Sequence, residues 1–76
     1  MESRIATDPA ILAGKPCIRG TRISVEFILK LIASGATTDA IVKAYPHLTH
    51  ADVEAAVRFA AEFLRNTSLL ELEIQR

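Results

Sequence analysis

A single cysteine in the chain, Cys17, excludes an intrachain disulfide and any cysteine-based zinc site. Such usage fits a reducing cytosol, so a cytoplasmic location is expected, and a small residue in an expected strand reads as packing rather than chemistry. Excess charge is also missing. Nine Lys and Arg balance nine Asp and Glu, a formal net charge of zero, which argues against a strong non-specific nucleic-acid binder. No apolar run is long enough to span a bilayer, and no basic start leads into an apolar stretch, so neither membrane insertion nor targeting is expected. Nucleophile-elbow, P-loop and dinucleotide patterns are absent. His47, His50 and Asp52 are the nearest approach to a metal cluster. They straddle an expected turn and helix start, where such residues serve as surface and capping groups. The expectation is a binding protein rather than an enzyme, with no metal, cofactor or small-molecule substrate.

What is present is half apolar, at 50% of 76 residues. A chain this short buries only about 60% of its unfolded surface, so its own core is small. No repeat, low-complexity tract or linker divides it, and one domain over residues 1–76 is expected. Charge is unevenly placed along it. Residues 1–35 carry Arg4, Lys15, Arg19, Arg22 and Lys30 against Glu2, Asp8 and Glu26, whereas residues 36–76 carry six acids against Lys43, Arg58, Arg65 and Arg76.

Helix signals predict a mainly α fold with three helices after an N-terminal arm. In the arm, over residues 1–23, Ile5 lies in a short strand, and Asp8 caps a brief helical turn with Pro9 at its first position, closing near Gly14. Ile18-Arg19-Gly20-Thr21-Arg22-Ile23 then reads as a β-hairpin with Gly20 at the first central position of a type II′ turn. That register sets Arg19 opposite Arg22 and Ile18 opposite Ile23, the isoleucines toward the core. Like charges face to face cost up to about 1 kcal/mol unless an anion lies between them. Lys15, Arg19 and Arg22 are therefore candidate anion contacts, unless their side chains hold carbonyls and carboxylates of the same protein.

The core, residues 24–65, begins with Ser24 as N-cap of a helix over Val25 to Ser34 and Gly35 as its left-handed exit. Thr37 caps a second helix over Thr38 to Tyr45, which must stop before Pro46. Thr49 starts a third, through Leu64, with Asp52 completing an acidic variant of the capping box. The first and third helices each have one narrow polar stripe, Glu26, Lys30 and Ser34 or Glu54, Arg58 and Glu62. Apolar residues cover the rest. A monomer this small cannot bury both helices on nearly all sides, so a homodimer sharing a core through them is expected. The tail, residues 66–76, alternates Leu70, Leu72 and Ile74 with Glu71, Glu73 and Gln75. That pattern suits a strand, or a continued third helix, and offers an edge to a partner protein.

Helices two and three resemble a helix-turn-helix in outline. The turn lacks glycine, and the third helix shows no row of base-reading donors. If DNA is bound, Lys15, Arg19 and Arg22 are the first candidates, followed by Lys43, His47 and His50.

Ile5, Asp8-Pro9, Gly14-Lys15-Pro16-Cys17-Ile18-Arg19-Gly20-Thr21-Arg22-Ile23-Ser24-Val25, Gly35 with Thr37, Tyr45-Pro46 with Leu48-Thr49, and Asp52 to Ala56 together resemble the family known as domain of unknown function 433, described as VapB-type antitoxin-like. Cys17 stands where a branched aliphatic residue is usual. The resemblance implies a three-helix homeodomain-like fold with a short N-terminal β element, dimeric assembly and, for some members, an antitoxin role beside a PIN-like ribonuclease toxin. On that reading the dimer binds operator DNA through the basic region. Leu70, Glu71, Leu72, Glu73 and Ile74 engage the toxin, the leucines and isoleucine as anchors and the glutamates against basic residues. The alternative is a dimeric DNA-binding or scaffold module without a toxin.

Overall fold

The computed structural model of the chain describes residues 3–65. Two short strands, β1 (Ile5–Ala6) and β2 (Cys17–Ile18), flank a one-turn 3-10 segment at Leu12–Gly14 and precede three helices, α1 (Val25–Ala33), α2 (Thr38–Ala44) and α3 (His50–Arg65). The fold is mainly helical. β1 and β2 pair antiparallel with Ile5 opposite Ile18 and Ala6 opposite Cys17.

Each helix starts where its capping chemistry requires. Ser24 Oγ accepts from Phe27 N at 2.9 Å and Thr37 Oγ1 from Ala40 N at 3.1 Å. At α3 the capping is reciprocal. Thr49 Oγ1 accepts from Asp52 N at 3.1 Å while Asp52 Oδ2 accepts from Thr49 N at 3.0 Å, the capping box with an aspartate in place of the usual glutamate. Gly35, at φ +102°, lets α1 end with Ala36 N donating to Leu31 O and Gly35 N to Ile32 O, both at 3.0 Å, the paired bonds of a Schellman exit. Pro46 then stops α2, and Leu48 N closes the following turn on Tyr45 O at 2.9 Å.

These stops and starts bring one apolar cluster together: Ile5 and Ile18 from the strands, Val25 and Ile28 from α1, Ile41 from α2, Leu48, and Val53, Ala55 and Ala56 from α3. Ile5, Ile18, Ile28, Ile41, Leu48 and Val53 are the largest fully buried side chains, each worth about 1.5–3 kcal/mol of burial. Alanine at 55 and 56 lets α3 lie close against its neighbours. The two-residue strands therefore act less as a sheet than as a means of holding Ile5 and Ile18 under the helices.

The arm differs from the sequence reading in two places. Asp8 does organise a turn, its Oδ1 accepting from Ala10 N at 2.9 Å and its carbonyl from Ile11 N at 2.8 Å. The helical segment, however, begins later, and Leu12 and Ala13 both take left-handed φ values of 52° and 57°. The second difference is the turn after β2. Thr21 N donates to Ile18 O at 3.0 Å and Gly20 has φ +83°, so glycine sits at the second central position of a type II turn rather than the first of a type II′ turn. The Thr21 hydroxyl decides this, donating to Ile18 O at 2.8 Å and accepting from Ile23 N at 3.0 Å. Ile18 N still bonds Ile23 O at 2.9 Å, as the isoleucine pairing anticipates, but Arg19 occupies the turn itself and does not face Arg22 across a ribbon.

Candidate interaction surface

The basic residues around that turn have different surroundings. Arg19 folds back over β1, its Nε donating to Ser3 O at 2.8 Å and a terminal nitrogen to Ile5 O at 3.3 Å, while its own backbone N–H donates to Arg4 O at 2.8 Å. It thus splices the start of the chain to the turn. Lys15 reaches Glu26 of α1 at 3.3 Å, and Lys30 meets the other oxygen of the same carboxylate at 3.3 Å. Hydrogen bonds from Lys30 and Lys15 hold the Glu26 carboxyl below its ordinary range. His50 contacts the Asp39 carboxylate, linking the first turns of α3 and α2. Arg22, Lys43 and His47 are exposed and make no hydrogen bond or ion pair with another described residue. Of the six candidate DNA contacts, then, three are engaged within the molecule and three face solvent.

Arg4 and Asp52 form a further link across the fold. The guanidinium lies 3.0 Å from Asp52 Oδ1, whose residue is only 7% exposed. One carboxylate therefore closes the α3 cap with one oxygen and anchors β1 with the other. Cys17 is buried, and its thiol donates to Lys15 O at 3.2 Å. Among the described residues no group of three or more His, Cys, Asp or Glu is placed to hold a metal ion, and no helix is long and apolar enough to cross a membrane.

An exposed apolar surface lies elsewhere, at the far end of α3. That helix has 16 residues, about 24 Å at 1.5 Å per residue, yet its buried residues all fall between Asp52 and Ala56. The stripe that faces the core at Ala56 continues through Phe59 to Phe63, since residues three, four and seven apart share a helix face. Phe63 is 63% exposed and Leu64 54%. Between this end of α3 and the start of α1 is an open groove of 460 Å³ walled by Pro16, Val25, Leu29, Phe59, Ala60, Phe63 and Leu64, with Lys15 and Glu26 at its rim. Phe27 projects on another side of α1, where its ring packs edge-on against Tyr45 at 5.6 Å between centroids.

The family model described as protein of unknown function (DUF433) matches residues 5–60. The chain belongs to the DUF433 family. The crystal structure of a DUF433 member protein from Anabaena variabilis is similar over 99% of this chain and 71% of that one, with 28% sequence identity and a TM-score of 0.75. No curated protein matches. The family match takes in both strands, the turn and the helix caps of this DUF433 chain, and stops before Phe63 and Leu64.

Sequence reasoning found the apolar character of α1 and α3 but not the groove, because periodicity shows which residues share a face and not where the opposing elements end. The left-handed pair Leu12–Ala13 carried no local signal, since neither residue type favours positive φ. Leu70, Glu71, Leu72, Glu73 and Ile74, the expected partner contacts, lie outside the described residues.

Proposed function

We propose that this DUF433 protein is a cytoplasmic antitoxin-like binding protein, without catalytic activity of its own, that acts as a homodimer and neutralises a PIN-like ribonuclease toxin. On this reading its three helices act as a homeodomain-like unit. Residues Leu70, Leu72 and Ile74 anchor the toxin, and Glu71 and Glu73 meet its basic substrate-binding residues. The observation that carries a protein-binding reading is the contrast between the two kinds of surface. Most charged side chains of the described residues are tied to one another or to backbone, whereas α1 and α3 leave an apolar groove open to solvent. Large exposed apolar patches on small soluble proteins mark interaction sites.

A second reading, a dimeric DNA-binding or scaffold module with no toxin, draws on Arg22, Lys43 and His47, whose side chains have no partner among the described residues. Operator DNA also belongs to the first reading, where the same three residues contact phosphates. Lys15, Arg19 and His50 would join them only by leaving their present partners.

Co-expression with the product of the adjoining open reading frame tests the proposal. Co-elution on size exclusion together with rescue of growth supports the antitoxin role, and truncation after Asn66 is then expected to abolish toxin binding while leaving the helical signal in place. A chain that neither co-elutes nor rescues refutes it. Titration of the upstream duplex at several salt concentrations then decides the second reading. Arg22→Ala with Lys43→Ala should flatten the dependence of log affinity on log salt by about two counterions' worth per protomer, about four for the dimer.

A further inference from the structure

We infer that the groove at the end of α3 is filled by a second copy of this chain, each copy seating Leu64 against Leu29 of the other. The inference rests on the dimeric reading above and says which surface makes the dimer.

Three features select this occupant. First, the surface is self-complementary. The wall contributed by α3 includes the projecting Leu64, and the wall contributed by α1 includes the recessed Leu29. A two-fold rotation places projection on recess twice in one operation, as an isologous contact requires. Second, the charge is right for an uncharged surface. The rim residues Lys15 and Glu26 already pair with each other at 3.3 Å, so nothing at the groove calls for an acidic or basic occupant, and both stay in water at the edge of the contact. Third, the size fits. Ile32 continues the α1 stripe of Val25 and Leu29, and Val57 begins the α3 stripe of Ala60 and Leu64. Ile32 and Val57 are 36% and 45% exposed. With Leu64 and Phe63 they present roughly 350 Å² of apolar surface. A standard interface takes about 800 Å² from each partner, a little over half of it apolar, or roughly 450 Å². The half-buried walls at Leu29 and Phe59 supply the difference.

Sedimentation equilibrium of the full chain, with circular dichroism on the same samples, tests the contact. The wild-type chain is expected to be dimeric at micromolar concentration. Leu64→Lys and Leu29→Glu should each weaken the dimer at least tenfold while keeping the helical signal. An equimolar mixture of the two should dimerise again, because a mixed pair joins the introduced lysine to the introduced glutamate at one contact and retains Leu64 on Leu29 at the other. If Leu29→Glu loses its helical signal, Ile32→Glu, on the same stripe and more exposed, takes its place. A wild-type monomer across the concentration range overturns both the dimeric reading and the contact. A Leu64→Lys variant that dimerises like the wild type overturns the contact alone and leaves the dimer to another surface. Folded variants whose mixture stays monomeric overturn the pairing of residue 64 with residue 29.

Discussion

Removing the Asp52 carboxylate should destabilise the protein out of proportion to its place at a helix start. Asp52 Oδ2 accepts from Thr49 N, Asp52 Oδ1 accepts from Arg4, and the residue is 7% exposed. In Asp52→Ala the Thr49 N–H loses its partner, a cap loss of about 1 kcal/mol. The negative charge in the first turn of α3 goes too, worth about 0.3–1 kcal/mol against the helix dipole. The link to Arg4 adds less than about 1 kcal/mol, because that guanidinium side is 46% exposed and solvent screens it. The sum is about 2 kcal/mol, which for a domain of this size lowers Tm by about 8–16 °C. Asp52→Asn keeps an acceptor for Thr49 N and should lose about half as much. Urea denaturation provides the assay, since a lower midpoint at constant slope reports stability alone. In a double-mutant cycle with Arg4→Ala, the coupling should be below about 1 kcal/mol. An Asp52→Ala protein within about 0.5 kcal/mol of wild type would refute the idea that this carboxylate joins cap and strand.

The other expectations concern the arm and α1. Ala13→Gly should raise Tm by a few degrees, because a left-handed alanine costs about 1–2 kcal/mol and glycine's extra chain entropy offsets about 0.5–1 kcal/mol of the relief; a lower Tm would show that the alanine methyl is needed where it stands. Arg19→Ala should destabilise the fold by about 1 kcal/mol through the loss of its two bonds to Ser3 and Ile5 carbonyls. Arg22→Ala should be neutral within about 0.5 kcal/mol, and equal effects of the two in thermal melts would contradict their different surroundings. The lowered Glu26 carboxyl binds its proton less readily folded than unfolded. Its stabilising contribution is therefore complete above the ordinary carboxylate range and is lost as pH falls through the folded value. Glu26→Gln should accordingly flatten the acid limb of a stability-against-pH curve, and an unchanged limb would remove the Lys15–Glu26–Lys30 cluster from the account.

The helices were legible because their ends are local events. Ser24, Thr37 and Thr49 cap through bonds to residues three positions ahead, Pro46 stops α2 through its own ring, and Gly35 exits α1 through its own φ. The arm was legible only in part. The residues of the turn after β2 announced a turn, but the Thr21 hydroxyl shifted its centre by one residue, and a side-chain bond of that kind competes with backbone pairing on nearly equal terms. The candidate site was the least legible. Lys15 and Arg19 look alike as cations in the chain, yet one meets a carboxylate on α1 and the other the carbonyls of β1. Which partner a long side chain finds depends on elements that are remote in sequence.

Local chemistry in the chain by itself determined three capped helices, and apolar faces on α1 and α3 wider than a small domain can bury. Each of these depends on interactions spanning four residues or fewer, or on a count of apolar positions against surface area. Tertiary structure alone decided that Asp52 bonds Arg4 across 48 positions of chain, that Arg19 braces the arm, and that α3 outruns the core to leave a groove beside α1. The two links follow from how segments remote in sequence pack together, and the groove from how far α3 runs past its neighbours, three-dimensional relations that no periodicity along the chain records.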